Sequence, residues 1–218
     1  VYRSFRAPTL NELFREFRVG NTVTQANPAL KPESLFGAEA GFDVIGETAR
    51  ARVTLYRNEL EGLITNVRLS TAPNLIVQQR QNAVAVLSRG VEFDAAARWG
   101  SWRGEIGYLF VDSRFANRRR VQQIPKHQGS AQAAYEKGGL LATAGIRAYA
   151  WQFEDEANQF RLAGFPTVQV VVRQRLAKNL SALIAFENLL DREIVTGFSP
   201  TPTIGAPRLW RAGLRWDR

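Results

Sequence analysis

Side chains that alternate between apolar and polar leave a chain few ways to fold, and the alternation here recurs from end to end. In the last segment Trp210, Ala212, Leu214 and Trp216 fall on one side, and Arg211, Gly213, Arg215 and Asp217 on the other. The segment before it sets Leu180, Ala182, Ile184 and Phe186 against Asn179, Ser181 and Glu187. A period of two belongs to a β-strand with one apolar and one polar face. A soluble sandwich could produce that pattern. Tryptophan at both ends of an aliphatic stretch suits a strand crossing a lipid layer better.

The same unit repeats along the chain. A short strand is expected over 1–6, then strands over 34–45, 50–69, 75–98, 102–112, 127–136, 140–153, 167–176 and 179–187, with the last after 207. One face carries Phe36, Ala38, Ala40, Phe42 and Val44, then Val53 and Leu55, then Val91, Phe93, Ala95 and Ala97. It continues through Trp102, Ile106, Tyr108 and Phe110, then Ala131, Ala133 and Tyr135, then Val168, Val170 and Val172. The segment 140–153 has no assignable facing. Asn58 to Asn66 loses clean alternation, as a strand does beyond the lipid. Near Gly90 the apolar phase slips by one residue, and a bulge at Ser88-Arg89-Gly90 would supply the shift. The stretch 7–33 holds Pro8, Pro28 and Pro32 and reads as a long connection. Within it Thr9 and Glu12 have the spacing of a helix capping box.

Connection lengths alternate. Short ones lie at 46–49, 99–101, 137–139 and 177–178. Long ones lie at 7–33, 113–126, 154–166 and 188–207, with a medium one at 70–74. If every strand reverses, all the short ones share one end, which is the asymmetry of outer-membrane barrels. Greek-key sandwiches have no reason to sort loops in this way. The expected fold is therefore all-β: an antiparallel, up-and-down transmembrane β-barrel segment of roughly ten strands.

Composition excludes several classes. No apolar run reaches the about 18–20 residues of a membrane helix, whereas a membrane strand needs only about 9–11. Cysteine is absent and His127 is the single histidine, which rules out thiolate and multi-histidine metal sites; no metal or cofactor is expected. The net charge is +9, but the arginines are scattered over polar strand faces and loops. No basic helix or aromatic platform points to nucleic acid. Arginine lining a pore or meeting anionic lipid fits better. The chain starts inside an alternating element with no leader-like segment, so a part of a longer protein is expected.

Four ordered motifs resemble the C-terminal barrel of TonB-dependent outer-membrane receptors. They are Arg6-Ala7-Pro8-Thr9-Leu10-Asn11-Glu12-Leu13, Asn27-Pro28-Ala29-Leu30-Lys31-Pro32-Glu33, the run from Asn82 to Gly90-Val91-Glu92, and Asn188-Leu189-Leu190-Asp191-Arg192. Ile194 stands where the family usually carries an aromatic residue, and the chain continues past Trp216 to Asp217-Arg218. The resemblance implies residues 1–218 as the last part of a barrel of about 22 strands around a plug, without its plug and signal peptide. It implies a Gram-negative outer membrane with the C-terminus periplasmic. The implied partners are the rest of the barrel, the plug and, through it, the TonB system, with lipid and lipopolysaccharide outside. The implied function is energy-coupled uptake of an iron–siderophore complex, haem or cobalamin, not an enzymatic reaction.

Candidate ligand contacts are loop arginines and aromatics: Arg15, Arg18, Arg118, Arg119, Arg120, Trp151 and Phe153. Guanidinium groups suit anionic siderophores. The plainer reading leaves Arg118 to Arg120 solvated or on lipopolysaccharide phosphates. Trp99, Trp102, Trp210 and Trp216 are candidate membrane-interface aromatics. Two alternatives remain: a passive porin-like channel, and a barrel enzyme in which His127, beside Lys126, relays protons with Asp112 and Ser113. A single histidine at a strand end is more often structural.

Overall fold

The structure is a computed structural model, and it describes residues 1–198 and 201–216. Ser199, Pro200, Asp217 and Arg218 lie outside the described residues, and with them the expected place of Asp217 on the polar side of the last strand. In chain order the elements are β1 (Tyr2–Arg6), α1 (Leu10–Phe14), β2 (Phe17–Val19), β3 (Thr22–Gln25), β4 (Glu33–Ile45), β5 (Ala49–Ala72), β6 (Leu75–Trp99), β7 (Trp102–Phe115), β8 (His127–Lys137), β9 (Leu140–Tyr149), β10 (Gln152–Phe153), β11 (Arg161–Leu162), β12 (Phe165–Ala177), β13 (Leu180–Glu187), β14 (Val195–Gly197), β15 (Thr203–Ile204) and β16 (Leu209–Trp216). The main sheet runs β1-β4-β5-β6-β7-β8-β9-β12-β13-β16. These ten strands adjoin in chain order, the up-and-down pattern expected, and β1 and β16 end the row.

The chain forms two compact units: 1–39 with 56–89 and 113–121, and 40–55 with 90–112 and 122–218. In the second unit the antiparallel register keeps one apolar face continuous. Trp102 pairs with Tyr135, and Ile106 with Ala131. Ala131 in turn faces Ile146, which faces Val168. Val170 faces Phe186, and Phe186 faces Trp210. Directly opposed residues share a face, so β9 receives the facing its sequence left open: Leu140, Ala142, Ala144, Ile146 and Ala148 lie on the apolar side. No second sheet covers that face among the described residues. Phe42 is 71%, Leu214 74%, and Trp210 and Trp216 each 69% exposed. A soluble sandwich would have buried them.

The turns at 46–48, 100–101, 138–139 and 178–179 are tight. Gly138 and Gly139 both take positive φ, 60° and 84°, which a side chain would resist. Several expected boundaries shift. The medium connection at 70–74 contracts to 73–74, because β5 and β6 run for 24 and 25 residues. Strand β7 continues to Phe115, since Phe115 N donates to Arg119 O at 2.9 Å and Arg114 bridges Arg120. The basic connection therefore starts at 116. The expected strand 140–153 stops at Tyr149; Gln152 and Phe153 turn away to pair with Leu162 and Arg161 in a separate two-stranded sheet. The last connection likewise holds the small sheet of β14 and β15.

In the first unit the stretch read as an irregular connection contains α1, β2 and β3. Strand β3 pairs in parallel with β6, Thr22 to Gln25 beside Ile76 to Gln79. Thr24 is 1% exposed there, and its hydroxyl accepts from Gln78 Nε2 at 2.8 Å.

Candidate functional site

The family-like motifs turn out to hold the long connections in place. In the first unit, Arg6 binds the Glu33 carboxylate through Nε and Nη2 at 2.6 and 2.7 Å, and reaches Glu12 through Nη1 at 3.1 Å. Glu12 completes the expected capping box: its amide donates to Thr9 Oγ1 at 3.2 Å, and Thr9 N donates to its carboxylate at 2.7 Å. The Arg6 bond and the Thr9 amide hold the Glu12 carboxyl down to about 2. Arg6 likewise holds Glu33 below the usual carboxylate range against the cost of burial. The second motif is fixed from afar. Asn82 accepts from Lys31 N at 2.8 Å and donates to Lys31 O and Gly62 O at 2.8 and 2.6 Å. Asn27 donates to Arg80 O at 2.8 Å.

Arg15 and Arg18 both sit in this strap. Arg15 closes α1, its amide bonding Asn11 O at 3.1 Å. Its carbonyl accepts from Arg80 Nη1 at 3.0 Å, and Arg80 also lies 5.0 Å over the Phe17 ring. The Arg18 guanidinium bonds Gly20 O at 2.9 Å. Arg118 takes a φ of 67° in its turn and accepts from Arg114 Nη1 at 3.2 Å. Arg118 and Arg119 are exposed, whereas Arg120 is half-buried. The basic run therefore does not present three equivalent side chains.

Trp151 and Phe153 come together in the second unit. Their rings meet edge to face, 5.3 Å apart at 86°. Arg161, which the sequence reading missed, stacks its guanidinium 3.9 Å from the Trp151 centroid. The hairpin β10–β11 makes this possible by placing Phe153 opposite Arg161, with Leu162 as its anchor at 1% exposure. Asp155 shapes the turn, accepting from Gln159 N at 2.9 Å and Phe160 N at 2.7 Å. Burial pushes its carboxyl up, but these backbone amides outweigh that and leave it lowered. Glu154 accepts from Phe198 N at 2.8 Å and ties the hairpin to β14. Gln123 N donates to Phe153 O at 2.7 Å. Two buried acceptors in this unit, Gln122 Oε1 and Gln152 Oε1, have no hydrogen-bond partner. The cluster thus joins aromatic surface, a cation and acceptors that need donors. No residue spacing announces Arg161, which lies ten positions beyond Trp151.

The fourth motif turns the corner after β13. Asn188 and Asp191 take φ of 47° and 51°. Asn188 donates to Arg192 O at 2.9 Å and Ala206 O at 3.2 Å, and Asp191 accepts from Arg208 N at 3.0 Å. The four candidate interface tryptophans are all exposed. The Trp102 ring packs against Tyr135 at 4.9 Å, tilted by 54°, and the Trp99 ring covers Gly104. Both lie at the tight-turn end, as does Trp216, paired with Leu180; Trp210, paired with Phe186, lies toward the other end. His127 bonds Tyr108 through Nδ1 at 2.7 Å, in place of the relay to Asp112 and Ser113. The polar face of the unit holds a groove of about 550 Å³ lined by residues that include Arg52, Asp94, Glu105, Gln132 and Arg147.

Comparison with known proteins adds an independent line. Residues 2–189 match the family described as TonB dependent receptor-like, beta-barrel. The ferrichrome outer membrane transporter/phage receptor of Escherichia coli strain K12 is 28% identical over 125 residues, 50% of this chain and 17% of that protein. The metal–pseudopaline receptor CntO of Pseudomonas aeruginosa is 27% identical over 191 residues, 82% of this chain and 26% of its own length. Among solved structures, the copper transporter OprC superposes with a TM-score of 0.78 at 18% identity, covering 98% of this chain and 37% of that one. The chain thus spans about a quarter or less of the curated relatives it matches.

Proposed function

The chain belongs to the TonB-dependent receptor β-barrel family, and from that premise we propose that it forms the C-terminal wall of an outer-membrane receptor for energy-coupled uptake of a large, scarce nutrient. The observation that carries the reading is the unbroken apolar face from Trp102 to Trp216 above a row of tight turns. In lipid every backbone polar group must find a protein partner, so a wall with edges at β1 and β16 needs the remaining strands. The polar groove around Arg52 and Arg147 would face the plug, through which the TonB system delivers energy. The tight turns and Trp216 would lie on the periplasmic side, with lipid and lipopolysaccharide around the apolar face. The chain would carry out no reaction of its own.

Of the ligand classes considered, a metal–chelator complex suits this chain better than cobalamin, because the relatives are named for ferrichrome and metal–pseudopaline. Trp151 and Phe153, with Arg161, would touch it: flat rings offer apolar area, and the guanidinium offers charge to an anionic chelate. Arg15, Arg18, Arg118, Arg119 and Arg120 stand further down as contacts: the Arg18 guanidinium is already bonded to Gly20 O, and among the described residues no aromatic cluster like that of Trp151 and Phe153 accompanies the basic run. The test uses the receptor that carries this chain, with ferrichrome and ferric pseudopaline as probes in a fluorescence titration. Trp151→Ala and Arg161→Ala should weaken binding at least tenfold, while alanine at Arg118, Arg119 and Arg120 together leaves it within about twofold. The reverse pattern overturns the site. Specific binding by the isolated chain, inserted in liposomes as a monomer, would overturn the need for the rest of the wall.

A further inference from the structure

We infer that the apolar face of β7, β8 and β9 binds one phosphorylated lipid of the outer leaflet, its headgroup on Lys126 and His127 and an acyl chain in the groove below. The inference rests on the outer-membrane reading above and goes beyond it by naming a site.

The head of the site lies where the apolar band ends. Phe110 and His127 are paired residues, as are Tyr108 and Gly129, so the two aromatic rings and the imidazole share the outward face. Tyr108 OH meets His127 Nδ1 at 2.7 Å. When the hydroxyl donates there, Nε2 carries the proton and offers it outward. The Lys126 ammonium rests 5.5 Å over the Phe110 ring, and among the described residues no carboxylate neutralises it. Lysine binds phosphate well as a point charge, and at the edge of a lipid layer its stem stays on apolar surface while the charge reaches the headgroups. The aromatic partners are those of an interface belt.

Below, an apolar groove of about 720 Å³ crosses the same face from Val44 to Val168, its middle lined by Ile106, Ala131, Ala133, Ala144 and Ile146. From His127 to Ala133 is six residues, about 20 Å of strand. With the tilt of a membrane strand that is about 15 Å of depth, half of the about 30 Å hydrocarbon core. Cation and groove thus stand one leaflet apart in the right order for a phosphate above its own acyl chain.

The experiment counts lipids. The receptor that carries this chain is purified in detergent with diphosphoryl lipid A and examined by native mass spectrometry. Lys126→Ala with His127→Gln should hold one lipid A fewer than the parent, and so should Ala131→Phe, which fills the groove. Lys126→Arg with His127 intact should restore the count, and Arg119→Ala should not change it. Inorganic phosphate at millimolar concentration should displace nothing. An unchanged count in the Lys126→Ala, His127→Gln protein, or displacement by phosphate alone, overturns the headgroup assignment. Loss there with none in Ala131→Phe overturns the acyl-chain assignment. A parent receptor that retains no lipid A overturns the site, whereas the membrane reading would fail only if Trp102 and Trp216 escaped quenching by brominated lipid.

Discussion

The ring of Tyr2 fills the space a side chain on Gly37 would need: a Cβ there would stand 2.2 Å from Tyr2 Cζ. The two residues face each other across β1 and β4. The Tyr2 hydroxyl lies 2.9 Å from both Glu39 Oε1 and Asn58 Oδ1. One hydroxyl has one proton, so it donates to the carboxylate, and the Asn58 amide serves it best with its NH2 turned inward. Glycine at 37 is therefore the vacancy that lets a tyrosine pin the edge strand. Gly37→Val should expel the ring and cost about 1–3 kcal/mol, while Tyr2→Phe should cost about 1 kcal/mol. Chemical denaturation of the intact receptor and amide exchange over 2–6 read both; unaltered exchange in Gly37→Val would remove the pin.

The hub of Arg6, Glu12 and Glu33 makes the strap acid-sensitive. Glu12 has a folded value of about 2, below its ordinary 4.5, and Glu33 is lowered in the same sense. A depressed carboxyl adds stability that is fully present above its ordinary value and disappears as pH falls through the folded one. Amide exchange over 9–15, corrected for intrinsic rate, should accelerate between about pH 4.5 and pH 2. Glu12→Gln should flatten that profile. A profile equally steep in the variant would assign the acid response elsewhere.

Asn82 holds Lys31 from both sides and Gly62 as well. Asn82→Ala removes three hydrogen bonds, each worth about 1 kcal/mol. The expected result is a strap over 26–32 that protease cleaves readily, with the membrane wall still intact. Protection equal to that of the parent protein would show that Asn27 and Arg6 suffice.

The five tryptophans should divide by face. In single-tryptophan variants reconstituted with brominated lipid, Trp99, Trp102, Trp210 and Trp216 should be quenched strongly. Trp151, edge to face with Phe153 and covered by Arg161, should be quenched little. Strong quenching of Trp151 would put the proposed ligand cluster in lipid.

Strands and their faces were legible because alternation is a local signal: Trp210, Ala212, Leu214 and Trp216 lie within seven residues. The capping box at Thr9 was equally legible, its partners being three residues apart. The facing of β9 was not, since small and apolar residues on both sides blur its period, and only pairing with β8 and β12 decided it. The site was less legible still. Trp151 and Phe153 could be suspected as loop aromatics, but Arg161 joins them only because β10 and β11 pair. His127 read as a structural histidine more readily than as a relay partner of Asp112 and Ser113, but its actual partner, Tyr108, follows only from the pairing of β7 with β8.

The sequence by itself determined that this chain makes two-faced antiparallel strands, with short turns at one end and an apolar side suited to lipid, because a strand writes its environment into every second residue. Tertiary structure alone decided how the long connections are held and which side chains meet. Asn82 reaches Lys31 across 51 positions, and contacts of that span depend on chain paths and register that no local period records.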